Sequence, residues 1–355
     1  MSKVIGVDLK PMRLPPLSGS PLVSVLIPNY NYARFLGAAL DSLLKQSYKN
    51  WEAIICDDGS TDGSRELMQR YAGQDPRIRY VFQSNGGVAK ALNSAYLEAR
   101  GEIISLLDAD DTFLPEKLAL VVDALKSRPS AGMCIHPVQL VSAVLVRNAA
   151  QYPIEIADGW IGPRALENGG FDSGIPAASG LSFRAQVLVE IFPLPGELRA
   201  GLDLYLSSVA IMLTEVVGVR RISGLYRVHG NNTSYGCEPD QLLKTLTDQS
   251  AVWKARDDKL RRLFGAWPMA RMEENRGVRT CSLKYYLQTG QMPGPIHSSA
   301  EEMLRKENSL LIRCAWKLLI KAPRVLQSPL IKIAVFANSV LSSARASSLR
   351  RARWV

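Results

Sequence analysis

The feature that most constrains this chain is an apolar run that ends abruptly in carboxylates. Residues 103–107 are apolar except for one serine, and the segment Asp108–Asp111 follows directly. Such a run is typical of a strand that is buried on both faces, as in a parallel sheet. The acidic segment would then lie at the carboxyl edge of that sheet, where open α/β sheets bind their ligands.

The three carboxylates of this segment are Asp108, Asp110 and Asp111. Like charges this close repel each other, and burying them without partners is costly. A divalent cation removes the conflict, and carboxylate oxygens suit hard ions such as Mg²⁺ or Mn²⁺. The same residues also fit an acidic turn that caps a helix beginning near Pro115. The local pattern leaves both interpretations open.

The first 110 residues or so alternate between predicted strands and helices. The strands are expected at 22–27, 51–56, 78–82 and 103–107, and the helices over 33–46, through 68–71 and over 88–100. This rhythm predicts a parallel sheet with right-handed crossovers. Polar, chemistry-bearing loops follow the first, second and fourth strands. Further along, Val217–Tyr226 is predicted to form one strand.

Composition excludes several classes of protein. Five scattered cysteines without a C-x-x-C pair argue for reduced thiols and against a disulfide scaffold or a cysteine-based zinc site. No apolar run reaches the roughly 18 residues of a membrane span. Residues 1–20 contain several prolines but lack the apolar core of a signal peptide, so they are predicted to be a flexible lead-in.

The order and spacing of several loop motifs resemble those of family-2 glycosyltransferases, which have the GT-A fold. The motifs are Val25–Asn31, Cys56–Asp62, Asn85–Asn93, Leu107–Asp111 (the D-x-D motif), Ser179-Gly180, Phe183-Arg184 and Tyr226–Asn231. The resemblance covers residues 21–235 and implies an α/β domain with a mostly parallel central sheet and flanking helices. Within it, residues 21–127 would form the nucleotide-binding half and residues 128–235 the acceptor-binding half. Residues 236–355 would be a helical, basic extension.

The resemblance implies a nucleotide-sugar donor, most commonly a UDP-sugar, and a divalent cation, Mn²⁺ or Mg²⁺. Asp57 would accept from the nucleobase, Asp108 would face the ribose, and Asp110 and His229 would bind the metal. The full set implied to contact the donor nucleotide is Pro28, Tyr30, Asn31, Asp57, Asp58, Lys90 and Asp108. Lys90 equally fits a solvated helix lysine, and His229 taken alone fits an ordinary loop histidine.

An inverting transfer also needs a general base for the acceptor hydroxyl. The position that matches the family pattern is Asp203, although Gly201-Leu202 stands where the family often has a second acid. Glu197 is the alternative base, and Asp203 also fits the N-cap of the helix that it opens. Three residues are implied on the acceptor side: Ser179, Gly180 and Arg184. The acceptor would be a saccharide or lipid-linked saccharide in cell-surface polysaccharide or glycoconjugate synthesis.

The net charge of +10 is concentrated at the C-terminal end, where residues 301–355 hold eleven lysines and arginines against three glutamates. Arg313, Lys317 and Lys321 share one face of a predicted helix whose other faces are apolar. This pattern is typical of helices that lie on anionic membranes, and it also fits helices that pack on the catalytic domain. It favours a cytoplasmic enzyme at the inner face of the cell membrane. No nucleic-acid-binding motif is present.

Two other functions fit parts of the sequence. A GT-A-type nucleotidyltransferase would be expected to carry a glycine-rich, basic phosphate loop after the first strand, and Pro28–Tyr32 has none. A non-catalytic relative that binds sugar nucleotides or polysaccharides stays open because the region around Asp203 departs from the family pattern. The intact Asp108, Asp110 and His229 argue against it.

Overall fold

The computed structural model describes residues 9–145, 147–167, 174–229 and 239–265, together with residues 267, 282 and 293. The chain divides into two compact units. The first comprises Met1–Tyr235 with Ala251–Ala270, and the second comprises Gly236–Ser250 with Arg271–Val355. The basic segment 301–355 lies outside the described residues, so the predictions for it stay predictions. Within the described residues, no helix is both long enough and apolar enough to span a membrane.

The first unit is built on a seven-stranded sheet. Its strands in chain order are β1 (Val23–Asn29), β2 (Trp51–Asp57), β3 (Ile78–Phe82), β4 (Ile103–Leu106), β6 (Ala131–Ile135), β9 (Leu181–Arg184) and β10 (Glu215–Gly218). They lie in the order β10-β6-β9-β4-β1-β2-β3. Strands β1 to β4 are mutually parallel, whereas β9 runs antiparallel to both β4 and β6. The predicted α/β class is confirmed, with a sheet that is mixed around β9.

A second sheet of four strands packs beside the acidic segment. Its strands are β5 (Thr112–Phe113), β7 (Val138–Ser142), β8 (Arg147–Tyr152) and β11 (Gly224–Val228), in the order β5-β11-β7-β8. The prediction of a single strand over Val217–Tyr226 is wrong. The exposed Arg220 and Arg221 interrupt the run, and the two pieces, β10 and β11, join different sheets.

Helices cover both faces of the large sheet. They are α1 (Ala33–Leu44), α2 (Ser64–Gln74), α3 (Val88–Leu97), α4 (Lys117–Ser127), α5 (Gly162–Glu167), α6 (Ala185–Ile191) and α7 (Leu202–Leu213). A further helix, α8 (Pro239–Phe264), has its residues from Ala251 onward in the first unit. Because side chains alternate along a strand, Leu26 joins a core with α3, α6 and α7. Its neighbours Val25 and Ile27 join a second core with α1, α2 and α4.

Residues 9–20 pack along the domain, which corrects the prediction of a flexible lead-in for this part. The backbone N–H of Met12 donates to the carbonyl of Leu213 at 2.7 Å, and that of Ser18 donates to Glu102 Oε2 at 2.9 Å. Leu9, Met12 and Leu14 pack against the core. Proline content signals an extended chain, but it gives no information about burial of the apolar residues between the prolines.

Arg184 helps to hold residues 9–20 against the domain, and this position corrects its assignment to the acceptor side. The residue is fully buried and pairs with Ile103, the first residue of β4. It therefore lies at the edge of the sheet opposite to Asp108. Its guanidinium donates to the carbonyl of Pro15 and to that of Pro129 at 3.0 Å.

A buried lysine stands out in the second core. Lys117, the first residue of α4, has no exposed surface. Its Nζ lies 3.3 Å from Ser182 Oγ and 3.7 Å from the centroid of the Phe113 ring. Burial lowers the pKa of Lys117 to about 7. Because the unfolded chain has an ordinary lysine pKa, the charged form destabilises the folded state below pH 7, and the penalty fades as the pH rises toward 10.

Replacing this lysine is therefore expected to stabilise the protein. Lys117→Met should increase the free energy of unfolding below pH 7, and the gain should shrink by about 1.4 kcal/mol per pH unit between pH 7 and 10. Urea denaturation at pH 6.5, 8 and 9.5 measures this. Lys126→Met, at an exposed position of the same helix, is the control and should show no such trend. A gain that does not change with pH would contradict the buried charge.

Candidate active site

A cavity of about 710 Å³ opens at the carboxyl edge of the large sheet, a size common for small-molecule sites. It is lined by the loops that follow β1, β2 and β4, by α3, by the start of α7 and by parts of the second sheet. Its charged and aromatic lining residues are Tyr30, Tyr32, Asp58, Asp108, Asp110, Tyr152, Arg199, Asp203 and Tyr226. The cavity therefore gathers most of the ionisable groups that the sequence placed in separate loops.

The acidic segment after β4 forms the centre of this site. Asp108, Asp110 and Asp111 each offer a carboxylate oxygen, and these oxygens lie within 4.8 Å of one another. Burial, with the charges of Asp110 and Asp203 beside it, raises the pKa of Asp108 to about 8. Carboxylate oxygens at this spacing are the ligands that Mg²⁺ and Mn²⁺ prefer. The residues present thus fit a divalent cation.

Asp111 is held differently from its two neighbours. Its side chain is 1% exposed, and it accepts from Ser179 Oγ at 2.6 Å and from the backbone N–H of Arg227 at 2.9 Å. Ser179 Oγ in turn accepts from the backbone N–H of Asp108 at 3.1 Å. The helix-cap interpretation of the acidic segment is wrong, because α4 begins at Lys117 and no side chain caps it.

Asp110 is oriented by Arg227 and His229, two residues of the Tyr226–Asn231 motif. His229 Nε2 lies 2.9 Å from Asp110 Oδ2, and the His229 side chain is only 4% exposed. Its ring stacks on Phe35 of α1, with the centroids 4.8 Å apart. The Nε–H of Arg227 donates to the Asp110 carbonyl at 2.6 Å, and the Arg227 guanidinium lies 4.7 Å from the centroid of the Phe35 ring. His229 therefore positions the Asp110 carboxylate, and its role as a metal ligand stays a prediction.

Asp203 faces the same cavity from α7. The residue before this helix, Gly201, has a φ of +70°, a conformation that glycine adopts without strain. Asp203 Oδ1 accepts from the backbone N–H of Leu204 at 2.9 Å. Burial raises the pKa of the Asp203 carboxyl, so it is a stronger base than an exposed aspartate. Glu197, the alternative base, is exposed and lies outside the lining.

The two acids after β2 have different positions. Asp58 lines the cavity and accepts from the backbone N–H groups of Gly86 and Gly87 at 2.8 and 2.7 Å. Asp57 lies behind the lining, where it accepts from Asn29 Nδ2 at 2.8 Å and from Ser60 Oγ at 2.5 Å. Its role as the base-binding residue stays a prediction.

Apart from Arg184, the site residues predicted from the sequence fall into two groups. Six line the cavity: Pro28, Tyr30, Asp58, Asp108, Asp110 and Asp203. The others are not among the lining residues: Asn31, Asp57, Lys90, Ser179, Gly180 and His229. Among these, the exposed Lys90 lays its side chain along Gly86 and Gly196, and Asn31 Oδ1 accepts from the Thr61 backbone at 2.8 Å.

Sequence reasoning missed Tyr226, Arg227 and Arg199 as individual residues. Burial and the neighbouring aspartates raise the pKa of Tyr226, and burial with Asp110 and Asp108 raises the pKa of Tyr32 to about 12. Both hydroxyls therefore stay protonated at neutral pH and are able to donate a hydrogen bond. Tyr226 and Arg227 lie within a motif that the sequence did identify, whereas Arg199 had no signal of its own.

The raised pKa of Asp108 makes cation binding dependent on pH. A carboxylate must lose its proton to ligate a metal, so the affinity for Mn²⁺ should rise between pH 6 and pH 8, with proton release on binding. Calorimetry in buffers of different ionisation enthalpy measures both quantities. Asp110→Asn should abolish binding, and Asp123→Asn, at an exposed position of α4, should leave it unchanged. An affinity that is constant from pH 6 to 8 would contradict the assignment.

Comparison with known proteins identifies the domain. Residues 24–152 match the model of Glycosyl transferase family 2. An uncharacterised glycosyltransferase of Nostoc sp. (strain PCC 7120) is 33% identical over 215 residues, which is 59% of this chain and 66% of that protein. The chain thus spans slightly less than two thirds of this relative's length.

Solved structures establish the same fold. Staphylococcus aureus TarS in complex with UDP superposes with a TM-score of 0.50 and 17% identity, covering 75% of this chain and 80% of that one. The mannosyltransferase PcManGT from Pyrobaculum calidifontis, in complex with GDP-Man and Mn²⁺, gives a TM-score of 0.51 and 18% identity, covering 94% and 89%. The family match and the Nostoc relative identify a family-2 glycosyltransferase region that includes residues 24–152, and the similarity to the two solved structures shows that the domain has the GT-A fold.

Proposed function

We propose that this protein is an inverting, metal-dependent glycosyltransferase that moves a sugar from a UDP-sugar to a saccharide or lipid-linked saccharide. The observation that carries this proposal is that carboxylates from two separate elements line one cavity. Asp108 and Asp110 come from the end of β4, and Asp203 comes from the start of α7. A transfer of this kind needs both a site for a charged leaving group and a base.

On the donor side, Asp108 and Asp110 would hold the divalent cation. A cation bound there supplies positive charge against the diphosphate that leaves with the nucleotide. The lining residues Pro28, Tyr30 and Asp58 provide the surface for the nucleoside. Support for a nucleotide-diphosphate donor comes from the two structural neighbours, which were solved with UDP in one case and with GDP-Man and Mn²⁺ in the other.

On the acceptor side, Asp203 acts as the general base. Its carboxylate takes the proton of the acceptor hydroxyl while that oxygen forms a bond to the anomeric carbon. The bond from this carbon to the diphosphate breaks, and its electron pair leaves with the nucleotide. Attack from the face opposite to the leaving group inverts the anomeric configuration. The Leu204 N–H orients the carboxylate by holding Oδ1, and burial strengthens it as a base.

The acceptor class and the cellular position rest on the sequence. We propose a role in cell-surface polysaccharide or glycoconjugate synthesis, with residues 301–355 in contact with the anionic inner face of the cell membrane. The charge excess of that segment supports the contact. A non-catalytic binding relative is less well supported, because Asp203 lines the same cavity as the acidic cluster.

The donor site can be tested by titration of UDP, dTDP and GDP into the purified protein, with Mn²⁺ and with EDTA. We expect one nucleotide, UDP, to bind in Mn²⁺ and to lose most of its affinity in EDTA or in Asp110→Ala, because diphosphate binding depends on the cation. Asp123→Ala, remote from the cavity, is the matched control. Failure of all three nucleotides to bind in any metal condition would exclude the proposed donor site.

The base can be tested separately from the donor site. Asp203→Asn should lower kcat about 10²- to 10⁴-fold while the Kd for the nucleotide changes less than about twofold. In the wild type, kcat should fall on acidification at a higher pH than for an ordinary aspartate, because the pKa of Asp203 is raised. Initial rates of nucleotide release with acceptor present measure both effects. Full activity in Asp203→Asn together with loss of activity in Glu197→Gln would move the base to Glu197.

A further inference from the structure

Among the described residues, the charged lining of the cavity comprises four carboxylates and one cation. The carboxylates are Asp58, Asp108, Asp110 and Asp203, and the cation is Arg199. Among the residues that the structure describes, Arg199 is the only lysine or arginine that lines the cavity. Its side chain is exposed, and it forms no ion pair with a carboxylate of the described residues. The proposed reaction leaves this residue unused.

The loop that carries Arg199 is fixed along α3. Asn93 Nδ2 donates to the carbonyl of Leu194 at 2.9 Å, and the backbone N–H of Leu194 donates to Asn93 Oδ1 at 2.7 Å. Further along, Gly196 lies against Lys90, one turn from the start of the helix. The loop thus follows α3 toward its N-terminus and reaches the cavity at Arg199.

The guanidinium of Arg199 lies directly on Gly87, at the beginning of α3. A Cβ atom at Gly87 would lie 2.5 Å from Arg199 Nη1, and the φ of Gly87 is +90°. Glycine is therefore required here both by the backbone conformation and by the approach of the arginine. The contact holds the guanidinium at the wall of the cavity that Arg199 lines.

Asp58, the carboxylate that accepts from the Gly87 backbone, also has other partners. Asp58 accepts from the backbone N–H groups of Gly86 and Gly87 and from Gln83 Nε2 at 2.6 Å. Its charge is therefore satisfied by three donors. The positive end of α3 adds to the positive potential around Arg199. An anion that enters the cavity would find its strongest partner here, apart from a bound cation.

We propose that Arg199 binds an oxyanion of the sugar donor through two parallel hydrogen bonds. The planar guanidinium matches a pair of oxygens on a phosphate or carboxylate group. A nucleotide sugar offers such a pair either in its diphosphate or in the carboxylate of a hexuronic acid. This inference rests on the proposed function, since it assumes that the cavity holds a nucleotide-sugar donor.

The two sources of the oxyanion make different predictions for Arg199→Ala. Loss of a diphosphate contact weakens every diphosphate ligand by the same factor, about 10- to 100-fold for a charge-assisted pair. Loss of a uronate contact weakens only the hexuronate donor by that factor. Arg199→Lys keeps the positive charge but loses the paired N–H donors of the guanidinium. Its affinities should therefore fall between those of the wild type and the alanine variant.

The experiment measures Kd in Mn²⁺ for the wild type, Arg199→Ala, Arg199→Lys and the control Arg70→Ala, an exposed arginine of α2. The ligands are UMP, UDP, UDP-glucose and UDP-glucuronate, with the corresponding thymidine and guanosine series. An equal loss for all diphosphates with UMP unaffected supports the diphosphate contact. A loss confined to the hexuronate supports the carboxylate contact. The melting temperature of each variant verifies that it is folded.

Two other outcomes overturn the inference, and they are distinguishable. If the wild type binds a nucleotide in Mn²⁺ and Arg199→Ala binds every ligand of that series within about twofold of the wild type, Arg199 has no role in donor binding and the proposed function stands. If the wild type binds no nucleotide of any series, the proposed function fails and the inference fails with it.

Discussion

The buried carboxylate of Asp111 is the interaction on which the arrangement of the site depends. One oxygen accepts from Ser179, next to β9 of the large sheet, and the other accepts from the Arg227 backbone in β11 of the second sheet. A single side chain thus joins the two sheets at the end of β4. Because Asp111 is turned inward, Asp108 and Asp110 on the same short loop are left to face the cavity.

The second sheet also supplies the support for Asp110. Arg227 and His229 both contact Asp110, and both pack on the ring of Phe35, which belongs to α1. The aromatic ring therefore connects the helix that follows β1 with the strand that ends in the His229 motif. Residues that are nearly 200 positions apart in the sequence fix one carboxylate, which explains why the two halves of the domain form one site.

The sequence predicts the parallel half of the fold well, because each of its strands is rich in apolar residues and its helices have an apolar stripe. It also predicts which loops carry the chemistry, since the carboxyl ends of parallel strands meet at one edge. It does not predict which of two adjacent acids faces the cavity. Neighbouring residues at a strand end point in opposite directions, so the difference between Asp57 and Asp58 depends on their tertiary partners. Arg199 is harder still, because its position follows from the packing of a loop on α3.

The excess of carboxylates in the cavity has a consequence for the order of binding. Asp108 is surrounded by Asp110 and Asp203, and together with burial they raise its pKa to about 8. In the absence of a cation this group therefore keeps its proton over much of the neutral range. A cation and a diphosphate carry opposite charges, so each lowers the electrostatic cost of bringing in the other. Their binding is thus coupled, and by linkage the coupling is equal in both directions. Arg199 is the exception among the charged lining residues, since it attracts the anion whether or not the cation is bound.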